Sequence, residues 1–296
     1  MQRTVLVTGA TGTVGSRLTR SLTETPGVLV RAFVRSPEKS QALGALGVDL
    51  RTGSFEDAAS LDRAMTGVDT LALITAANER AGEQATAAIA SARRVGVHKI
   101  VRLSAVRAAE DGPTDNTRQH ARSERELRES GLAFVVLRPQ FFMDNLLGSA
   151  AAVVGEGKLH SGVGEGAIGM IDARDVADCL VQAVLRSEFD GRTLELTGPQ
   201  SISHRVVAAA LAEAIRRPVE YAPLTPEAAA EPLRALGAGP WLVQLMTDYM
   251  RAYRGGLGDF VSDVVRSMTG RDARSIETFA REVFAPAAGR LAEVSQ

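Results

Sequence analysis

Three glycines with three-residue spacing lie near the start of the sequence, in residues 8–15 (TGATGTVG). They separate an apolar, β-branched run at residues 4–8 from an amphipathic stretch at residues 14–22. Glycines there let the backbone turn tightly and approach a phosphate without a Cβ collision, while the helix N-terminus offers free N–H groups to the anion. The pattern predicts a dinucleotide-binding turn. A purely structural turn is the alternative, and a P-loop is excluded because no Gly-Lys-Ser/Thr closes the turn.

Two cations that could contact the same nucleotide follow the second apolar run. A site for NAD usually carries an acid about 20 residues beyond the last glycine, whereas an arginine nearby suits the 2′-phosphate of NADP. Arg35 stands where the acid would be, and Lys39 lies one helical turn into the next helix. The pair predicts that NADP(H) is preferred over NAD(H). The alternative is that both are solvated surface cations.

The elements that would position these residues alternate between strands and helices. After residues 4–8, apolar runs of strand length recur at 29–34, 48–52, 70–74, 99–103 and 133–137. Helical stretches lie between the runs, at 14–22, 42–46, 58–65, 79–95 and 118–130. Right-handed crossovers place such helices on both faces of a parallel sheet. The sequence therefore predicts an α/β fold, a doubly wound parallel sheet of the Rossmann type.

The pattern loosens in the second half of the chain. The glycine-rich residues 155–169 have too little apolar content for a core and are interpreted as a mobile loop. Helices are predicted at 174–186, 203–216, 241–253, 260–268 and 275–284, with a strand at 193–196. We expect an NAD(P)-binding domain over residues 1–153. Residues 154–296 would form a small, mostly helical substrate-binding or lid region, partly interleaved with the sheet.

Composition excludes several classes of protein. The 296 residues are 45% hydrophobic and 23% charged, which is ordinary for a globular domain. The net charge of −1 argues against nucleic acid as a partner, and no charge-free stretch reaches the roughly 18 residues of a membrane span. A single cysteine, Cys179, excludes an internal disulfide, and the scattered histidines predict no metal site. We expect a cytoplasmic protein, monomeric or homodimeric.

Several segments together resemble the NmrA-like branch of the atypical short-chain dehydrogenases/reductases. Besides TGATGTVG, they are VRAFVRSPEK (30–39), VRLSAV (101–106), LRPQFFMDNLL (137–147), IDARDVAD (171–178) and LELTGPQSIS (194–203). The resemblance implies an NAD(P)-binding domain followed by a small substrate region. Members of the family include quinone and azo reductases, natural-product ketoreductases, and redox sensors that bind the cofactor without turning it over.

The resemblance also implies which residues line the cofactor pocket. These are Gly9, Thr11, Gly12, Thr13, Val14, Gly15, Arg35, Gly53, Ser54, Phe55, Thr75, Ala76 and Ala77. Relatives commonly carry Gly-Asp at the turn near the adenine, where this chain has Gly53-Ser54. The hydrogen bond of that aspartate is therefore lost here or is taken over by the backbone.

The usual proton donor of this superfamily is missing from the sequence. Typical members use a serine, a tyrosine, and a lysine four residues after the tyrosine, which lowers the tyrosine's pKa. Ser104 ends the fifth strand as expected, but Asn116 occupies the tyrosine position and His120 the lysine position. We therefore expect proton delivery to differ while the reaction remains hydride transfer.

Three residues are candidates for replacing that chemistry. His120, with an ordinary pKa near neutrality, could donate a proton directly or through water. Ser104 and Asn116 could instead polarise a carbonyl while solvent, or a hydroxyl of the substrate, supplies the proton. The structural alternatives are an i,i+4 pair between His120 and Glu124 and a bond from Ser104 to the backbone.

Phe141, Phe142 and Met143 follow the sixth strand, at the sheet edge where doubly wound folds bind ligands. They are candidates for an apolar substrate pocket, and core packing is the alternative. Trp241, Tyr249 and Tyr253 would share one helix face, for which a core, a subunit interface or a pocket wall are all open.

Two classes of function remain. The first is an NADPH-dependent reductase of a ketone or quinone carbonyl on an apolar, polycyclic aromatic substrate. The second is a non-catalytic NADP(H) sensor. Residues 155–169 would serve as a lid in the first case and as a switch segment in the second. Most relatives of this shape reduce a substrate, which favours the enzyme.

Overall fold

The computed structural model describes residues 2–36 and 38–294, with only the backbone described at Lys39 and at residues 292–294. The strands within this part of the chain are β1 (Arg3–Thr8), β2 (Val28–Val34), β3 (Asp49–Thr52), β4 (Thr70–Leu73), β5 (Lys99–Leu103), β6 (Ala133–Pro139), β7 (Lys158–Ser161), β8 (Arg192–Leu196) and β9 (Glu220–Pro223).

The helices begin with α1 and end with α14. They are α1 (Thr13–Thr23), α2 (Gln41–Gly44), α3 (Ala58–Met65), α4 (Ala81–Val95), α5 (Asp115–Glu129), α6 (Ala150–Glu156), α7 (Ala173–Leu185), α8 (His204–Ile215), α9 (Pro226–Ala229), α10 (Glu231–Ala235), α11 (Pro240–Arg254), α12 (Val264–Thr269), α13 (Ile276–Phe279) and α14 (Ala285–Val294). Short 3₁₀ segments lie at Glu38–Ser40 and Met143–Ser149, and a π-helical turn at Ala280–Phe284 joins α13 to α14.

Among the described residues, one sheet has seven strands in the order β3-β2-β1-β4-β5-β6-β8. Strands β1 to β6 pair in parallel. Because β4 is buried along its whole length, it reads in the sequence as a mostly apolar run rather than as an alternating pattern. The predicted doubly wound α/β fold is confirmed. Its strand order reverses between β1 and β4, where such sheets leave a crevice at the carboxyl ends of the strands.

Contacts divide the chain into two compact units. The first comprises Met1–Gly112, Asn116–Arg138 and Val176–Glu195, and it holds nearly all of the large sheet. One of its cores joins the sheet to α3, α4 and α5 through large apolar residues such as Leu61, Ile89 and Leu127. Because the helices are fixed on the sheet by these side chains, the loops at the strand ends are held at defined positions.

The second unit comprises Pro113–Asp115, Pro139–Asp175 and Leu196–Gln296. Its core contains Phe279 and Phe284, both fully buried, together with residues of α6 and α8. A two-stranded parallel sheet pairs β7 with β9. This unit is mostly helical, as the sequence predicts.

The glycine-rich residues 155–169 differ from the predicted mobile loop. They contain β7, and Leu159, Val163 and Ile168 belong to the core of the second unit. A Cβ at Gly162 would lie 2.8 Å from the Cα of Pro226, and one at Gly166 would lie 2.4 Å from the carbonyl oxygen of Tyr253. Gly162 and Gly166 therefore allow close backbone packing, and the low apolar content of the segment wrongly predicted that it lies outside a core.

Candidate functional site

The glycine turn connects β1 to α1 as the sequence predicts. Gly9 has a φ of +61°, and a Cβ at this position would lie 3.0 Å from the carbonyl oxygen of Ile74. A Cβ at Gly15 would lie 2.1 Å from the carbonyl oxygen of Gly9, so α1 can begin this close to the turn only without a side chain there. Thr8 fixes the turn to the end of β4, because its hydroxyl donates to the Ile74 carbonyl at 2.8 Å.

The N-terminus of α1 has the features of an anion site. The helix begins after Gly12, no side chain caps it, and its first turn contains no acid. Thr11, Gly12 and Thr13 are exposed, whereas Val14 and Gly15 are buried under them. Free backbone N–H groups and the positive end of the helix dipole favour a phosphate group here. The turn therefore fits the pyrophosphate of a dinucleotide.

Arg35 immediately follows β2, at the same carboxyl edge of the sheet, and its side chain is exposed. No hydrogen bond or ion pair within the described part of the chain involves it. The side chain of Lys39 lies outside the described residues, so its predicted phosphate contact stays a prediction. The position of Arg35 at the strand end is the one at which a 2′-phosphate would be met.

The turn after β3 lies at the same edge. Gly53 donates its N–H to the carbonyl of Val34 at 3.0 Å, which ties this turn to the end of β2. Ser54 is engaged locally, since its hydroxyl donates to the Glu56 carboxylate and accepts from the Glu56 N–H. Phe55 packs edge-on against Phe33, with ring centroids 5.8 Å apart. The turn therefore offers the half-buried Phe55 ring to a ligand, while the Ser54 hydroxyl is held by Glu56.

Thr75, Ala76 and Ala77 follow β4, on the other side of β1 from Arg35. Ala76 and Ala77 are exposed, and Thr75 is half-buried with its hydroxyl accepting from Arg102 at 3.1 Å. These residues complete a row of loops along the carboxyl ends of β2, β1 and β4, which meet at one edge because the strands are parallel. The predicted cofactor residues of the first unit are thus brought to one edge of the sheet.

Ser104 lies directly after β5 and is buried. Its hydroxyl donates to the Glu124 carboxylate of α5 at 2.6 Å. A serine hydroxyl has a single proton to donate. In this arrangement Ser104 can accept a hydrogen bond from a ligand, but its hydroxyl hydrogen is already bonded to the Glu124 carboxylate.

Glu124 is fully buried and receives four donors. Besides Ser104, it binds Arg138 through two parallel hydrogen bonds of 2.8 and 2.6 Å and Arg128 at 2.7 Å. Arg138 also pairs with Glu195 at 3.2 Å. Burial raises the pKa of Glu195 above its ordinary range, although Arg138 opposes the shift. A buried carboxylate needs such donors to offset its lost hydration, so Glu124 anchors α5 to the ends of β5 and β6.

His120 lies one helical turn before Glu124 on α5, and 7% of its surface is exposed. Its Nδ1 lies 3.2 Å from the Nη2 of Arg102, a residue of β5 that is fully buried. Burial, followed by the charges of Arg102 and Arg138, holds the pKa of His120 well below its ordinary value. His120 is therefore neutral at pH 7, and its predicted part in proton delivery stays a prediction.

The predicted structural pair of His120 with Glu124 does not form among the described residues, because each side chain has other partners. Asn116 is buried in the first turn of α5, one turn before His120. The three predicted catalytic residues thus lie within the first unit, on α5 or directly after β5. Their roles in catalysis stay predictions.

The predicted substrate residues belong to the second unit. Phe141 and Phe142 are half-buried, whereas Met143 is 1% exposed and lies in the core, as the packing alternative expected. Phe141 packs edge-on against Tyr253 at 5.9 Å, and Tyr253 stacks on Tyr249 at 5.9 Å. Burial, and then the neighbouring Tyr249, raise the pKa of Tyr253 well above its ordinary value.

Trp241 does not join this aromatic cluster by any described ring contact. Its indole N–H donates to the Asp115 carboxylate at 2.9 Å. The predicted aromatic face of α11 is therefore divided between a hydrogen-bonded tryptophan and a pair of stacked tyrosines.

Two further observations concern other kinds of site. Within residues 2–36 and 38–294, no group of histidine, cysteine and carboxylate side chains could hold a metal ion. No helix in that part of the chain combines the length and apolarity needed to cross a membrane.

Sequence reasoning missed Arg102, Arg138 and Glu195 as parts of the buried network. A signal was present, since Arg102 follows two apolar residues inside a strand, and a charged residue inside a buried strand needs a partner. The identity of that partner could not be read from the sequence, because His120 and Arg102 lie on different elements.

The sequence matches a family model described as NAD(P)H-binding over residues 9–187, more than half of the chain. It is 34% identical over 277 residues to the NAD(P)H azoreductase of Xenophilus azovorans, covering 94% of this chain and 96% of that protein. It is 30% identical over 259 residues to quinone oxidoreductase 2 of Escherichia coli, covering 86% of this chain and 90% of that protein.

The fold has a solved counterpart with a bound cofactor. The crystal structure of the NADPH-dependent quinone oxidoreductase of Escherichia coli in complex with NADPH has a TM-score of 0.85 and 26% identity to this chain. The similarity covers 97% of this chain and 99% of that one. The likeness therefore extends over both compact units.

Proposed function

Because the chain belongs to the NAD(P)H-binding, NmrA-like family of atypical short-chain dehydrogenases/reductases and is an oxidoreductase, we propose that it uses NADPH to reduce quinones or azo compounds. The open, uncapped N-terminus of α1 above the Gly9–Gly12 turn is the observation that carries the proposal. It supplies free N–H groups and a positive field where a dinucleotide pyrophosphate would bind.

The preference for NADPH over NADH rests on Arg35. The residue follows β2 and is exposed. It occupies the position at which a site for NAD would carry an acid to bind the ribose 2′-hydroxyl. A guanidinium can form two parallel hydrogen bonds to a phosphate group. Lys39 is proposed as a second contact from the sequence alone.

The proposed acceptor is apolar and aromatic, and ketones on polycyclic aromatic rings are included among the proposed substrates. Phe141 and Tyr249 are half-buried members of an aromatic cluster in the second unit. Aromatic rings bind other rings in stacked or edge-on arrangements. The names of the azoreductase and quinone reductase relatives support the same substrate class.

The reaction must deliver one hydride and one proton to the acceptor. NADPH, when bound, supplies the hydride. The absence of a Tyr-Lys pair means that the proton comes from water or from the substrate itself, while Ser104, His120 and Asn116 orient the acceptor. Quinones and azo compounds suit such a site because conjugation stabilises the anion formed before protonation.

Single-turnover oxidation of protein-bound NADPH tests the proposal. The oxidation is followed by absorbance after addition of quinones, azo dyes or polycyclic aromatic ketones, and NADH is tested in parallel. We expect rapid oxidation by at least one class. Tight NADPH binding with no oxidation on the panel would contradict the reductase and favour the non-catalytic sensor. Unchanged turnover in a Ser104→Ala, His120→Ala double variant would remove these side chains from the mechanism.

A further inference from the structure

A fully buried arginine in the central sheet is not explained by the binding of cofactor or by an ion pair. Arg102 lies on β5, between Leu73 of β4 and Val136 of β6 in the strand register. None of its surface is exposed. A buried charge loses its hydration, and this destabilises the fold unless neighbouring groups stabilise the charge.

Every hydrogen-bond partner of this guanidinium among the described residues is a neutral group. Nη1 donates to the carbonyl of Leu73 at 3.3 Å, and Nη2 lies 3.1 Å from the hydroxyl of Thr75 and 3.2 Å from the Nδ1 of His120. Its Nε has no partner among the described residues. Burial lowers the pKa of Arg102 to about 10, with Glu124 opposing the shift, so the side chain remains a cation at pH 7.

The contact with His120 determines the state of the imidazole. A guanidinium has only donors, so the Nδ1 of His120 must accept and cannot carry a proton. A neutral imidazole protonated at one nitrogen then has its proton on Nε2. The tautomer follows from the chemistry of the partner and not from the position of any hydrogen atom.

The other charged groups around His120 act in the same direction or are occupied. Arg138 on β6 is a second cation that disfavours an imidazolium. Glu124, one turn along α5, is held by Ser104 and two arginines. No carboxylate among the described residues binds the His120 ring, so nothing on α5, β5 or β6 stabilises a protonated form.

We propose that Arg102 is a positioning residue that locks His120 in the neutral Nε2–H tautomer, so that His120 donates a hydrogen bond to the acceptor without giving up its proton. The Nε2–H of His120 then takes the place of the tyrosine hydroxyl as the group that polarises the acceptor. Ser104 cannot do so, because its hydroxyl donates its hydrogen bond to Glu124. A fixed neutral donor stabilises developing negative charge without reorganising. The last step, contact with the acceptor, rests on the proposed function.

Nitrogen-15 NMR of the free protein tests the tautomer directly. We expect the His120 Nδ1 to have a pyridine-type shift and Nε2 a pyrrole-type shift, unchanged from pH 8 down to pH 5. The signals are assigned by their loss in His120→Gln. A protonated ring near pH 6, or the opposite tautomer, would overturn the proposal even if no variant of Arg102 folds.

Variants of Arg102 test its part in this arrangement. In Arg102→Met we expect mixed tautomers and protonation at a higher pH than in the wild type, because a donor and a positive charge are lost together. Arg102→Lys keeps the charge and a donor and should restore the Nε2–H form in part. In Arg128→Met, which removes an arginine that binds Glu124 but not His120, the tautomer should not change.

The catalytic consequence is measured separately. With NADPH saturating, we expect the pH profile of the wild-type single-turnover rate to show no step from protonation of His120. The rate of His120→Phe should be about 100-fold lower, the effect of losing one preorganised donor. The Kd for NADPH should change little in His120→Phe. An unchanged rate would overturn the donor role.

The two proposals can fail independently. An absence of NADPH oxidation on the whole panel would contradict the reductase, while the NMR tautomer would still be as stated. A normal reductase whose His120 carries its proton on Nδ1 would contradict the role of Arg102 alone.

Discussion

Arg35 is the residue on which cofactor choice is expected to depend. It is exposed at the end of β2, whereas Arg31 within β2 pairs with the Asp49 carboxylate. A charge-assisted hydrogen bond contributes more than a neutral one, because the ligand phosphate carries a full charge. The effect of Arg35 should therefore be seen with NADPH and not with NADH.

In Arg35→Ala we expect the affinity for NADPH to fall about 10- to 100-fold, since bonds to charged groups contribute about 1.5–3 kcal/mol and about 1.4 kcal/mol is tenfold. The affinity for NADH should change much less. Titration of both cofactors by fluorescence or calorimetry measures the ratio. Arg20→Ala, an exposed arginine near the other end of α1, serves as the control. Equal losses for both cofactors would contradict a 2′-phosphate contact.

At the scale of elements, the β1–turn–α1 unit separates two uses of glycine. Gly15 is needed for packing, because a Cβ there would lie 2.1 Å from the Gly9 carbonyl oxygen. Gly12 is exposed, and its Cβ would approach the same oxygen only to 3.3 Å. A side chain at Gly12 should therefore change the turn little, but it would obstruct an anion at the helix N-terminus.

We expect Gly12→Ala to fold and to bind NADPH at least about tenfold more weakly. Gly15→Ala should lose about 1–3 kcal/mol of stability through overpacking. Urea unfolding and NADPH titration separate the two effects. Gly155→Ala is the matched control, because that helical glycine has no atom within 4 Å of an added Cβ. Undiminished NADPH binding by Gly12→Ala would place the pyrophosphate elsewhere.

Helix α5 has a different task from α1. It holds His120 and Glu124 on one face at i,i+4 spacing, directed at Arg102 of β5 and at Ser104 and Arg138 near the strand ends. Its orientation is therefore fixed by polar contacts as well as by apolar ones such as Leu127. A helix positioned in this way can hold a donor without a flexible side chain, which is what a preorganised site requires.

At the scale of the whole molecule, buried histidines make stability depend on pH. His204 begins α8, is 3% exposed, and packs against Tyr221 with ring centroids 5.7 Å apart. Burial lowers the pKa of His204 to about 4. The unfolded chain takes up a proton near pH 6.5, whereas the folded protein does so only near pH 4. Stability is therefore lost as the pH falls through this interval.

The difference between 6.5 and about 4 corresponds to about 3 kcal/mol of stability. We expect His204→Phe to remove this part of the acid sensitivity, so that its stability relative to the wild type increases between pH 6.5 and 4. Urea unfolding at several pH values measures the difference. His98→Gln, at an exposed histidine, is the control. A constant difference between wild type and His204→Phe across this range would contradict the assignment.

The sequence by itself determined the strand and helix order of the first unit and the edge of the sheet at which the predicted cofactor residues lie. Both follow from local information. Hydrophobic periodicity marks the elements, and residues that end parallel strands must meet at one edge. The positions of Gly9, Arg35 and Ser104 at that edge could therefore be predicted from the sequence, while their roles stay predictions.

Only the tertiary structure decided how the polar residues pair. Arg102 meets His120 and Glu124 meets Ser104 because packing brings α5 against β5, and nothing in the spacing of the sequence encodes that choice. The same reason explains residues 155–169, where Gly162, Gly166 and Gly169 are packed closely against partners distant in the chain. Burial, which depends on all neighbours together, lowers the pKa of His120 well below the ordinary value that the sequence alone suggests.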